Sequence, residues 1–137
     1  MNKKACIVMI GVLFGAFVLC GCQASQVDTH QYDDIFHSSV VRLVNYTLNL
    51  ERDHQTSIIV KASVNGRITN LKDQMMNVII STSFYDKQNK LLGEKSYTIL
   101  GLRAKGAPGS TTTFDITYDD KDTVAYVDHV TFLAMEE

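Results

Sequence analysis

The chain has 137 residues, with 13 lysines and arginines against 15 aspartates and glutamates, three cysteines, one proline and no tryptophan. That length holds one domain. The slight acidic excess, with no cluster of Lys and Arg, argues against nucleic acid as a partner, since phosphate neutralisation needs concentrated positive charge.

Lys3 and Lys4 precede fifteen uncharged residues, Ala5 to Leu19, within which residues 6–18 form an apolar stretch. A short positive region, an apolar run and then a small residue is the order of an export signal. The run is shorter than the ~20 residues that cross a bilayer core, but extending it to Gln23 brings it close, so length alone does not separate a signal from an uncleaved transmembrane anchor and the residues that end the run decide. It ends in Leu19-Cys20-Gly21-Cys22, which resembles the lipobox of bacterial lipoproteins: Leu, a variable position, Gly or Ala, then Cys. Cys20 is its one departure, standing where Ala or Ser is commonest. The resemblance implies that residues 1–21 are a signal peptide and that Cys22 becomes the mature N-terminus, carrying a diacylglycerol and an N-acyl lipid. Cys6 and Cys20 then leave with the signal and Cys22 is consumed as a thioether. The exported domain holds itself together without a disulfide.

The mature chain has about 115 residues. With Lys3 and Lys4 gone, 11 basic residues stand against 15 acidic ones, a net charge of −4. Such a surface argues against docking on anionic lipid by charge and leaves the acyl chains as the anchor. Residues 22–38 are polar and read as the lipidated cysteine and a tether, although Ile35 and Phe36 are placed to dock locally or to start the first strand.

From residue 39 to residue 137 the pattern is β. Val40, Arg42, Val44, Tyr46, Leu48 and Leu50 alternate with Val41, Leu43, Asn45, Thr47 and Asn49. After the loop at residues 51–55, Ile58, Val60, Ala62, Val64 and Ile68 are expected on one face, with Lys61, Ser63, Asn65, Arg67 and Thr69 on the other. Gly66 falls on the inward face, where a missing side chain points to a bulge or a close approach. A turn at residues 70–74 leads to a strand over 75–85 with Val78, Ile80, Thr82 and Phe84 facing one way. A hairpin loop at residues 86–90 precedes a strand over 91–100. Further strands are expected over 110–118, with Phe114 and Ile116 inward, and over 124–135, with Val124, Tyr126, Val130 and Phe132 as partners. Six to seven strands in one domain's length, with no helix, predict an all-β antiparallel sandwich.

Three blocks sharpen this expectation: Val64-Asn65-Gly66-Arg67-Ile68-Thr69-Asn70; Ser83-Phe84-Tyr85-Asp86 with Lys90-Leu91-Leu92-Gly93; and Pro108-Gly109 with Ser110-Thr111-Thr112-Thr113-Phe114. In order and spacing they resemble the FxLYD type of bacterial domain over residues 58–132. The naming motif itself departs, and Asn89 stands where that family's hairpin has Gly. The resemblance implies an immunoglobulin-like sandwich that binds proteins and shares no catalytic residues.

No constellation with recognisable chemistry emerges. His30, His37, His54 and His129 show no metal-ligand spacing, and no cysteine is free to join them. Asp119-Asp120-Lys121-Asp122 is dense in acid but interrupted by Lys121, which fits a solvated turn better than a calcium loop. Gly93-Glu94-Lys95-Ser96 lacks the upstream glycine of a phosphate loop. Neither a metal, a soluble cofactor nor a small-molecule substrate is expected, and no residue qualifies as a nucleophile or general base. Two features suit binding, each beside a plainer reading that is favoured: Met75-Met76, as an adaptable apolar contact against core filling, and the loop over 100–109, where Arg103 and Lys105 stand on an acidic domain, against a solvated loop.

These readings lead to a lipid-anchored envelope protein whose sandwich is a non-catalytic protein-interaction module with an envelope partner. An inhibitor or immunity-type lipoprotein that blocks an envelope-acting enzyme is the alternative. Gln23 follows Cys22, and a residue other than Asp there is similar to outer-membrane lipoproteins, which places the domain at the outer membrane facing the periplasm.

Overall fold

Val, Ile, Thr and Phe at alternating positions suit a pleated surface with one face buried, and they draw the chain into strands. The computed structural model describes residues 31–137, and its packed unit spans Tyr32–Glu137. In chain order the strands are β1 (Phe36–His37), β2 (Val41–Arg52), β3 (Ile59–Asn70), β4 (Met76–Tyr85), β5 (Leu91–Leu102), β6 (Thr111–Tyr118) and β7 (His129–Glu136). They form a four-stranded sheet in the order β1-β7-β4-β5 and a three-stranded sheet in the order β2-β3-β6. The protein is an all-β sandwich. Only β2–β3 and β4–β5 are hairpins within a sheet; every other link crosses to the opposite layer. All pairings are antiparallel except the two-residue β1–β7 pair, which is parallel.

Two bulges alter which residues face inward. In β2 the register jumps from Leu43 opposite Ile68 to Asn45 opposite Arg67, leaving Val44 as the extra residue. Val41 and Leu43 are therefore buried before the bulge, and Tyr46, Leu48 and Leu50 pack on the core after it. An unbroken alternation puts Arg42 among the core residues; the slip in phase removes it. In β3 the mirror event occurs, with Val60 extra between Ile59 opposite Arg52 and Lys61 opposite Glu51. Ile59 is buried there, while Ile58 and Val60, expected inward, are 52% and 44% exposed. Each bulge adds one unpaired residue, which is enough to exchange the two faces of a strand.

Gly66 itself carries no bulge. It pairs regularly with Tyr46 and Phe114, and the ring of Phe114 lies across it. A Cβ at this position would fall 2.3 Å from Phe114 Cζ, so only glycine admits the ring. Gly93 does the same for Tyr118, whose ring would meet an added Cβ at 2.7 Å. Tyr118 stacks on Phe84 with centroids 4.6 Å apart and donates its hydroxyl to Leu92 O at 3.0 Å.

The N-terminal boundary differs from expectation. Ile35 and Phe36 amides both donate to Tyr32 O, making one turn, and Phe132 N donates to Ile35 O at 2.6 Å. Phe36 is buried, and Tyr32 meets Tyr46 edge-on at 5.7 Å. Tyr46 in turn meets Phe132 at 5.3 Å, and Phe132 meets Phe114 at 5.9 Å, so a chain of rings ties this segment to the centre of the core. Residues 32–38, read as tether, are thus part of the sandwich. The spacing of Tyr32, Ile35 and Phe36, three and then four residues from Tyr32, is the signal that carries this.

At the other terminus the strand expected from residue 124 begins only at His129. Val124–Tyr126 is a single 3₁₀ turn, in which Val124 is buried and Tyr126 is 65% exposed. The hairpin at residues 86–90 forms as expected. Asp86 Oδ1 accepts the amides of Gln88 and Lys90 at 2.8 and 2.9 Å, and Asn89 takes a φ of 62°. Asparagine tolerates this left-handed conformation, which explains why it serves where glycine is usual.

Candidate interaction surface

The loop between β5 and β6 holds Arg103 and Lys105, the two cations singled out from the sequence. Its position is set by Asn70, the last residue of β3. The side chain of Asn70 is 1% exposed, donates through Nδ2 to Gln74 O at 2.9 Å and to Arg103 O at 2.8 Å, and accepts the Lys72 amide at Oδ1 at 2.7 Å. Lys105 N donates to Lys72 O at 2.8 Å, which joins the two loops directly. One buried amide thereby satisfies backbone groups of both loops and brings Lys72 close to Arg103 and Lys105. Among the described residues these three cations form no ion pair, so their charges face solvent.

Next to this end lies the outer face of the four-stranded sheet. Met76 is buried opposite Leu102, whereas Met75 is 62% exposed, so the methionine pair divides between core and surface. Register places Ile79 beside Met135 and Ser81 beside Leu133 on that outer face. Leu100, 74% exposed, follows Thr98, which itself faces Ile79. Met75, Leu100, Leu133, Met135 and the half-buried Ile79 thus make an exposed apolar surface beside the Lys72, Arg103 and Lys105 loops. Ser81 and Thr98 stand among these side chains, and apolar groups gathered beside polar ones are characteristic of interaction sites. Met75 and the cationic loop stand out in the sequence; Leu133, Met135 and Leu100 do not. Leu133 and Met135 are legible as the outward positions of an apolar strand once Phe132 and Ala134 are known to point inward.

The histidines of the described residues do not converge with one another. His129 contacts Asp128 through Nδ1 at 3.0 Å and stacks on Tyr85, while His37 and His54 lie on β1 and in the β2–β3 loop. Asp120 caps the turn after β6 by accepting the Asp122 amide at 2.9 Å. Among the described residues no three His, Cys, Asp or Glu side chains gather as a metal site would need. Gly93 to Ser96 lie within β5, a strand and not a helix N-terminus. Leu19, Cys20, Gly21 and Cys22 lie outside the described residues.

No family model matches the chain, and no curated protein matches it. Among solved structures, it is similar to a Campylobacter jejuni protein at 9% identity, with 75% of this chain and 96% of that chain covered and a TM-score of 0.48. It is also similar to a DUF1425 family member from Shewanella sp. pv-4 at 14% identity, with 71% and 78% covered and a TM-score of 0.44. Both are distant likenesses between small β-rich domains, and no function is transferred from them. The FxLYD resemblance rests on its three short sequence blocks.

Proposed function

We propose that this protein is a bacterial envelope lipoprotein, anchored through acylated Cys22, whose sandwich is a non-catalytic module that binds a protein partner. The observation that carries the binding role is the apolar outer face formed by Met75, Leu100, Leu133 and Met135. Burying a single such side chain contributes about 1.5–3 kcal/mol, so several together are enough to hold a partner. The neighbouring loop cations add orientation, since charge at the rim of an interface acts mainly on encounter and register. The three FxLYD-like blocks support an immunoglobulin-like adhesive domain, and the Leu19 to Cys22 motif supports the anchor. Gln23 supports sorting to the outer membrane, with the domain facing the periplasm.

Nine residues lie between Cys22 and Tyr32, and the ten steps from one to the other span at most about 33–36 Å.

Two experiments test the halves separately. Cys22→Ala is expected to abolish palmitate labelling and release the protein from the membrane fraction; persistent labelling refutes the anchor. A photo-crosslinker at Leu133 or Leu100, in the acylated protein in its own envelope, is expected to trap one discrete protein, whereas one at Ser63 on the opposite sheet is not. Crosslinking at neither apolar position removes the interaction role.

A further inference from the structure

The outer face of the three-stranded sheet has a different chemistry, and it extends beyond the reading above. Pairing across β2, β3 and β6 places Asn45, Arg67 and Thr113 in one row and Thr47, Asn65 and Asp115 in the next. These six side chains line a groove of about 470 Å³, floored by the backbone at Gly66 and Phe114 and walled by Tyr97 from β5. Strand spacing and residue rise give the grid a footprint of about 10 by 7 Å.

Most of its polar groups have no partner among the described residues. Asn65 Oδ1 accepts from Asn49 Nδ2 at 3.1 Å. Among the described residues, the side chains of Asn45, Thr47, Arg67, Tyr97, Thr113 and Asp115 make no hydrogen bond or ion pair. Further along the same face Lys61 and Glu51 do pair, at 3.1 Å. In the groove Arg67 faces Asn45 and Thr113, and Asp115 faces Asn65, so cross-strand partners do not neutralise either charge. One cation and one carboxylate leave the site with no net charge, which disfavours phosphate and charged peptides. What it offers is a dense set of donors and acceptors: two amides, two hydroxyls, a guanidinium fork and a carboxylate. Beside them stands one aromatic ring that is 38% exposed.

That combination fits vicinal hydroxyls and the C–H face of a sugar ring. We propose that the groove binds a neutral oligosaccharide or polysaccharide, with hydroxyls held by Arg67, Asn65 and Asp115 and one ring laid against Tyr97. A polar groove with a few convergent hydrogen-bonding groups and an aromatic wall supplies orientation from the former and apolar contact from the latter. The assignment does not depend on Cys22 or on the apolar face of the other sheet.

The test is calorimetric titration of the full chain, solubilised in a polyoxyethylene detergent, with chitotetraose, cellotetraose, maltotetraose and inorganic phosphate. The expected result is saturable binding of at least one tetrasaccharide and none of phosphate. Asn65→Ala, Asp115→Ala and Tyr97→Ala should each weaken binding at least tenfold, with the unfolding midpoint showing that they fold. Thr117→Ala, on the same face beyond the groove, should leave it unchanged. Absence of binding to all three sugars overturns the proposal. So does sugar binding that the three groove substitutions leave intact, and so does phosphate binding that competes with the sugar.

Discussion

Replacing Thr82 by valine should make this protein more stable. Thr82 sits in β4 between Ile80 and Phe84, opposite Phe132 on one side and Lys95 on the other, with 0% of its surface exposed. Its Oγ1 is a buried side-chain polar atom with no hydrogen-bond partner among the described residues. A hydroxyl transferred from water to such a site without compensation costs about 1–3 kcal/mol. Valine has nearly the same shape and fills the same space with a methyl group. The expected gain is therefore about 1–2 kcal/mol, which for a domain of this size raises the unfolding midpoint by about 4–8 °C per kcal/mol. Thr82→Ser separates the two contributions, since it keeps the hydroxyl and deletes a buried methyl, and it should lose about 0.5–1.5 kcal/mol. The assay is urea unfolding of all three proteins with equal slopes, so that midpoints report stability alone. If Thr82→Val destabilises as much as Thr82→Ser, the hydroxyl has a partner, such as a buried water, and the reasoning is wrong.

Gly66→Ala should destabilise the fold by about 1–2 kcal/mol, the overpacking cost against Phe114 less the gain of removing a glycine from a strand; adding Phe114→Leu should recover part of the loss in a double-mutant cycle. Asn70→Ala should cost about 2–4 kcal/mol, because it strands backbone groups of two loops. Asn70→Asp at neutral pH should cost at least as much, since it turns a carboxylate oxygen toward the carbonyls of Gln74 and Arg103; chemical denaturation ranks the two. The Asp53 carboxyl is held below the usual carboxylate range by the backbone amides of Thr56 and Gln55 and by the Thr56 hydroxyl. Its contribution to the β2–β3 loop is present above the ordinary aspartate pKa and is lost as pH falls through the lowered value. Faster hydrogen exchange of the Gln55 and Thr56 amides there, abolished as a pH effect in Asp53→Ala, checks it. Ser57 holds a φ of 58°, so Ser57→Gly should stabilise by up to about 1 kcal/mol in thermal melts.

How far the residues alone describe this protein depends on the range over which each signal acts. Strand identity is a local property, and alternation with β-branched and aromatic residues placed β3, β4 and β6 close to where they lie. The turn at Asp86 to Lys90 was equally legible, since Asp86 closes it with its own neighbours. The lipobox resemblance of Leu19 to Cys22 is likewise local, carried by four adjacent residues. Part of the interaction surface followed from sequence too: Met75 and the Arg103 and Lys105 loop stand apart by composition.

The rest was decided between strands. Whether Val60 faces the core or solvent depends on one unpaired residue, and that residue exists only relative to β2. Phe36 belongs to the core because β7 offers it an edge almost a hundred residues away in sequence. Gly66 is required by a ring on a different strand, and Thr82 is buried opposite Phe132 of β7 and Lys95 of β5, where its hydroxyl finds no partner among the described residues. The groove of Asn45, Arg67, Asn65 and Asp115 is assembled from three strands whose spacing in sequence shows no motif. Local chemistry determined the strands and the turns of this protein. Register and layer packing, which act between residues far apart along the chain, decided which side chains share each face.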